Sequence, residues 1–308
     1  MMTTSSMEHT LVVLAGPTAV GKTSCGIQVA SHFGTEIISA DSRQIYRETT
    51  IGTAVPSPEE LTRVRHHFIQ TASVKEIYNA SIYENQVLAK LEQLFQKHRL
   101  VLMVGGSGLY IDAVCEGIDD LPQINPGIRD GLQKRLKKEG LEPLTRQLRE
   151  LDPPSYEKLD LKNHMRVLKA LEVSIQTGRA YSSFLSATKK ERAFRIIRIA
   201  LDMEREELYD RINRRVELMM KAGLLEEVRQ LQHLRGYSAM KTVGYRELFR
   251  VLDGELSLEE GVDLIKRNTR KFARKQLTWY RKEKRYRWFH PEQCPQIPDW
   301  IEKELLHL

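Results

Sequence analysis

The sequence predicts an α/β fold: a parallel sheet flanked by helices, with a helical insertion between its strands and a helical C-terminal region. Three observations carry this expectation. Short aliphatic runs at 11–15, 36–40 and 100–104 are each followed by a turn, as buried strands of a parallel sheet require. Strand-like runs then disappear until Phe194, and amphipathic stretches rich in Arg and Lys take their place. After Asp202, apolar residues recur at three- and four-residue spacing only.

Leu11–Ala15 reads as the first buried strand. It breaks into Gly16-Pro17-Thr18-Ala19-Val20-Gly21-Lys22-Thr23, which fits G-x-x-x-x-G-K-[ST] without a mismatch. Ile27, Val29, Ala30 and Phe33 follow at roughly helical spacing, so the motif sits between a strand and a helix. In that setting it is a phosphate-binding loop rather than a chance glycine turn. The glycines let several N–H groups point at one anion, and the helix adds its positive dipole end. Lys22 supplies a point charge, and the Thr23 hydroxyl can hold Mg²⁺ beside the phosphates. The motif specifies a polyphosphate and does not specify ATP.

Glu36–Ala40 reads as a second strand, with Asp41-Ser42-Arg43-Gln44-Ile45-Tyr46 at its carboxyl end. Ligands of open α/β sheets sit outside that end, so Asp41 is expected on the rim of the glycine loop; a local capping role is the alternative. A loop at 51–56, a short helix at 58–65 and a strand entered by His66-His67 come next, the histidine pair reading as structural. A helix over 82–98 buries Val87, Leu88, Leu91, Leu94 and Phe95. Leu100–Val104 is the next strand, closed by a second glycine turn, Gly105-Gly106-Ser107-Gly108. Two glycine turns on one rim predict a cleft.

The expected organisation is a first part of the core at 8–116, a helical insertion at 117–160, and core completion with basic helices at 161–308. Within the insertion, helices are expected at 128–138 and 141–151, punctuated by Asp152-Pro153-Pro154. A helix over 163–177 stops at Gly178, and residues 195–201 alternate and return the chain to the sheet. Helices are then expected at 205–223, 224–234, 241–252 and 257–284. Between Lys266 and Arg287 there are eleven basic residues and one acid, with Trp279, Tyr280 and Tyr286 interleaved and Trp288 and Phe289 just beyond. A one-signed, aromatic-studded run of this length points to nucleic acid more than to a solvated face.

The totals fit this picture. The chain has 308 residues, 41% hydrophobic and 29% charged, with net charge +7 and a pI of about 9.2. That balance permits an anionic partner. No apolar run approaches a membrane span, and the polar residues 1–10 lack the pattern of a secretion signal. Cys25, Cys115 and Cys294 are an odd, widely spaced set, which argues against a disulfide framework and a zinc site and favours a reducing cytoplasm.

Taken together, Gly16–Thr23, Asp41–Tyr46, Ile51–Ala54, His66-His67, Val104–Tyr110, Ala170–Glu172, Thr242–Tyr245 and Gln276–Trp279 resemble, in order, the tRNA dimethylallyltransferases, also called tRNA isopentenyltransferases. The resemblance covers about residues 11–289. The Asp-Ser-x-x-Ile-Tyr and Gln-Leu-Thr-Trp stretches are its specific parts; the glycine loop is shared by many families. Three positions depart from the pattern: Val55 where lysine is common, Gln70 where aspartate often follows the histidines, and Lys169 where arginine is usual.

The resemblance implies a P-loop kinase-like fold and transfer of a dimethylallyl group from dimethylallyl diphosphate to N6 of the adenosine 3′ of the anticodon. It implies Mg²⁺ at Thr23, a tRNA anticodon stem-loop as partner, and a cytoplasmic protein, with a monomer expected. Residues 16–23 would hold the diphosphate, with Arg166 as an added clamp, and Asp41 would be the general base. Asp41, Ser42, Arg43, Gln44, Ser107, Arg129, Arg270, Arg274 and Lys275 would contact tRNA. Adenine N6 is a poor nucleophile and an allylic diphosphate a good electrophile, so the chemistry needs a stabilised leaving group and a base at N6. Two alternatives are a small-molecule kinase using the same loop on ATP, and an RNA-binding protein with a dead loop. Intact Lys22, Thr23 and Asp41 argue against the second.

Overall fold

The structure is a computed structural model and describes residues 9–119, 121–122, 124–186 and 190–306. The stretch up to residue 8, read above as carrying no secretion signal, lies outside them. Six strands form one sheet: β1 (Thr10–Ala15), β2 (Ile37–Ser39), β3 (His66–His67), β4 (Leu100–Gly105), β5 (Arg195–Leu201) and β6 (Arg287–Phe289). Their order is β3-β2-β4-β1-β5-β6, and every pairing is parallel. β1 is buried along its whole length, with Thr10 opposite Leu100 of β4 and Arg195 of β5. Covered on both faces, it reads as a continuous aliphatic run. Because all strands run one way, the loops that follow them share one rim.

The chain divides into two compact units, Met1–Glu116 with Glu191–Leu308, and Gly117–Lys190. In the first, α1 (Lys22–His32), α2 (Pro58–Arg63), α3 (Ala80–Phe95) and α4 (Gly108–Glu116) precede the second unit. Ser57 and Glu60 cap α2 reciprocally, and the Asn79 side chain caps α3. The core joins Val12, Leu14, Ile27, Leu102 and Ile199.

The second unit holds α5 (Pro126–Glu139), α6 (Glu142–Leu151), α7 (Pro153–Lys158) and α8 (His164–Thr177) around Leu132, Leu144, Leu148, Val167 and Leu171. It extends to residue 190, past the expected edge at 160, because α8 supplies half of that core. The two prolines after Asp152 open a helix instead of breaking the chain. Asp152 accepts the Ser155 N–H at 3.1 Å as its cap and the Ser182 N–H and hydroxyl at 2.7 and 2.6 Å. Burial opposes its charge, yet the bonds from Ser155 and Ser182 leave the carboxyl below its ordinary range.

Back in the first unit come α9 (Arg205–Lys221), α10 (Leu224–Gln230), α11 (Tyr245–Leu252), α12 (Leu258–Tyr280) and α13 (Ile297–Leu306). The expectation of helix alone after Asp202 is corrected here. α12 stops at Tyr280, and 287–289 form β6, with Leu201 opposite Phe289. Tyr286 and Phe289 are buried, so this end of the basic run is core. The alternation Arg-Tyr-Arg-Trp-Phe suits an edge strand that closes the open side of β5.

The cysteine reading is corrected too. Cys25 of α1 and Cys294 form a disulfide across a sequence separation of 269, with Cα atoms 5.6 Å apart, and Cys115 is buried and free. Spacing carries no sign of such a pair; the fold alone brings α1 against the turn at 291–296. Equilibrium unfolding with and without reductant should differ by about 2–4 kcal/mol. Superimposable curves would show that the two sulfurs are thiols in solution. Among the described residues, no helix is long and apolar enough to cross a membrane.

Candidate active site

A cavity of about 580 Å³ opens on the rim where β1, β2 and β4 end. Its walls are the glycine loop, residues 41–44, Ser107, three arginines of α9 and one face of α12. Ala19 at φ 66° and Gly21 at φ 104° curl the loop, and α1 starts at Lys22. The Lys22 ammonium donates to the Pro17 carbonyl at 2.6 Å. Burial pushes its pKa down to about 7, with Asp41 opposing the shift and Arg215 adding to it. The half-buried Thr23 hydroxyl borders the same cavity.

Asp41 lies on the cavity rim, and its carboxylate holds a turn where a helix cap was the alternative. Its Oδ1 accepts the N–H groups of Arg43 at 2.8 Å and Gln44 at 3.3 Å, which fixes the turn after β2. Among the described residues no hydrogen bond engages Oδ2, on a residue that lines the cavity. Ser42 N–H donates to Ser107 Oγ at 2.9 Å, and Ser107 N–H donates to the Ala40 carbonyl at 3.0 Å. A Cβ on Gly105 would stand 2.1 Å from the Ala40 oxygen, so the second glycine turn exists to let β2 and β4 touch here. Of the departures, Val55 lines the cavity, and Gln70 packs locally, its N–H on the Gln44 carbonyl and its amide on Thr50 Oγ1, both at 2.8 Å.

Sequence reasoning missed Arg215. It comes from α9 and donates to Thr18 Oγ1 at 3.3 Å. Burial lowers its pKa and Asp41 opposes that, but a guanidinium stays charged at neutral pH. The signal was present: Arg211, Arg214 and Arg215 share one face of an amphipathic helix and all line the cavity. Arg166, expected as the added clamp, is an exposed side chain in the first turn of α8 in the second unit. In that unit Arg129 forks onto Glu172 with two 2.9 Å bonds, so its guanidinium is already engaged. Lys169 is half-buried beside them.

The basic helix has two faces. Arg267, Lys271, Arg274 and Lys275 form an exposed stripe without ion pairs among the described residues. Arg270, also expected to contact tRNA, turns onto α9, donating to Asn213 at 2.6 Å and lying 5.8 Å from the Tyr209 ring centre. On the inner face, Gln276 donates to the Gly106 carbonyl at 2.8 Å and accepts the Thr18 N–H at 2.9 Å. It staples the two glycine turns together. Trp279 donates to Asp112 at 2.8 Å beside Gly108. Gln276→Leu leaves a buried donor and acceptor unpaired, at about 1–3 kcal/mol each. The KM for a diphosphate donor should rise about tenfold or more, and an unchanged KM would reduce Gln276 to packing.

Residues 44–283 match the model of the IPP transferase family. The chain is 51% identical over 295 residues to tRNA dimethylallyltransferase 1 of Phocaeicola vulgatus, covering 96% of this chain and 98% of that one. It is 48% identical to the tRNA dimethylallyltransferase of Christiangramia forsetii, over 97% of this chain and 99% of that one. The crystal structure of a full-length tRNA isopentenylpyrophosphate transferase from Bacillus halodurans aligns with a TM-score of 0.70 at 33% identity, covering 96% and 97% of the two chains. A eukaryotic dimethylallyltransferase acting on tRNA shares the fold, with a TM-score of 0.73 at 24% identity over 88% of this chain and 69% of that one.

Proposed function

The chain belongs to the IPP transferase family, and from that premise we propose that it transfers a dimethylallyl group from dimethylallyl diphosphate to N6 of the adenosine 3′ of the anticodon in cytoplasmic tRNA. One observation carries the reading: a single cavity joins a diphosphate loop, an open carboxylate oxygen and an apolar wall. The loop N–H groups, Lys22 and Arg215 receive the diphosphate. Val216, Met219, Leu224 and Val243 offer a surface for the five-carbon chain. N6 of an extruded adenine meets Asp41 Oδ2. As the C–O bond breaks, its electron pair leaves with the diphosphate; the N6 lone pair forms the new C–N bond, and Asp41 takes the released proton.

Among the described residues no cluster of three His, Cys, Asp or Glu side chains fits a metal ion. Mg²⁺ suits this site nonetheless, since it binds through few protein oxygens, phosphates and water; Thr23 Oγ1 is the oxygen that would hold it. When bound it would neutralise charge on the leaving diphosphate. A small-molecule kinase would use the same loop. Dimethylallyl diphosphate, rather than ATP, should raise the thermal midpoint, and turnover of ATP would contradict the proposal.

The exposed stripe on α12 supports tRNA as the acceptor. Contacts of this kind track phosphates and weaken with salt by roughly 0.7 log units per phosphate on single strands. Replacing Arg267, Lys271, Arg274 and Lys275 with Gln should flatten the log–log salt slope by about two to three units. An unaltered slope would make the stripe a solvated face.

A further inference from the structure

We infer that Glu227 is a positioning residue that sets which base the cavity accepts; this rests on the function proposed above. The loop at 50–55 borders the cavity with Gly52, Thr53, Ala54 and Val55. Its N–H groups at Thr50, Ile51 and Gly52 converge on the Glu227 carboxylate at 3.1, 2.7 and 3.0 Å. Successive N–H groups arranged in this way form a cradle for an anion. Here the anion is a side chain of α10, more than 170 residues away in sequence. Tyr245, fully buried, donates its hydroxyl to the same carboxylate at 2.6 Å. Burial and the Glu227 charge keep that phenol in its protonated, donating form. The Tyr245 ring lies so close that a Cβ on Gly52 would stand 2.6 Å from it. The loop is therefore held at three N–H groups and packed against one ring.

These contacts fix what the loop shows to the cavity. The carbonyls of Thr53 and Ala54 accept from Gln44 Nε2 at 3.3 and 2.8 Å. Both amide hydrogens of Gln44 are drawn to these carbonyls, so its Oε1 faces away from them. That oxygen takes no hydrogen bond among the described residues, and Gln44 lines the cavity three residues from Asp41. A fixed acceptor there matches a base edge that presents an amino group. A base with a carbonyl at that position would set lone pair against lone pair. Adenine is accepted on this account, and hypoxanthine or guanine is refused. With the loop released, the Gln44 amide is free to turn over, and the choice is lost.

The test compares dissociation constants for two anticodon stem-loops, one with adenosine and one with inosine at the target position. The parent protein should prefer adenosine about tenfold, the scale of one mismatched hydrogen bond. Glu227→Gln, whose amide cannot accept from all three N–H groups, should fall to within about twofold, while thermal protection by dimethylallyl diphosphate stays as in the parent. Tyr245→Phe removes one donor only and should fall between the two; it decides the matter if the Glu227 variant does not fold. A preference unchanged in these variants, or absent from the parent, overturns the inference. Failure of the proposed function itself is read separately, as no prenyl transfer to the adenosine stem-loop by the parent protein.

Discussion

Asp41→Asn should lower the single-turnover rate of prenyl transfer by about 10²–10⁴-fold while tRNA affinity changes less than twofold. The two carboxylate oxygens have different duties. Oδ1 already accepts from Arg43 and Gln44, and the Asn carbonyl can take over both bonds, so the turn after β2 survives. The Asn nitrogen then stands where Oδ2 stood. It donates instead of accepting and cannot take the proton that N6 must lose. Binding should hold because the exposed cations of α12 are untouched. A rate within a factor of two of the parent would remove Asp41 from the mechanism.

Lys22→Ala should cost about 10²–10³-fold in turnover, the usual loss of one preorganised donor to a departing oxyanion. The larger signature lies in its pH dependence. In the free protein the Lys22 pKa is held at about 7, so above that pH the empty site is mostly unprotonated. An anionic diphosphate favours the ammonium and raises its pKa on binding. Between the free and bound values, binding takes up a proton, and affinity falls by up to about tenfold per pH unit as pH rises. Titration of the donor from pH 6 to pH 9 should show this decline in the parent and lose it in Lys22→Ala. A flat parent profile would mean that Lys22 stays charged in the empty loop. Thr23→Ala should instead raise the Mg²⁺ concentration needed for turnover.

The parts of the site that lie in contiguous residues were legible in the sequence. Gly16–Thr23 and Asp41–Gln44 each follow a strand, and the rule that places ligands beyond carboxyl ends brought them to one rim. What escaped reading is held by contacts across hundreds of residues. Arg215 reaches Thr18, Gln276 bridges Thr18 and Gly106, and Glu227 cradles Thr50–Gly52. The Gln276 stretch stood out in the sequence and Arg215 shares a face with two other arginines, but the partner of each of the three lies far along the chain. The Cys25–Cys294 pair was hidden for the same reason. Charge counting misled at the end of α12, where burial of Tyr286 and Phe289 and pairing with β5 override the appearance of one long basic helix. Arg270 belongs to that basic run by charge but to the α9 interface by packing.

The most direct measurement incubates purified protein with dimethylallyl diphosphate, Mg²⁺ and unmodified tRNA, then resolves the nucleosides by mass. A five-carbon addition to a single adenosine 3′ of the anticodon, absent without the donor and lost in Asp41→Asn, is the result expected. Unmodified tRNA alongside intact RNA binding, or phosphate transfer from ATP in the same mixture, would contradict it.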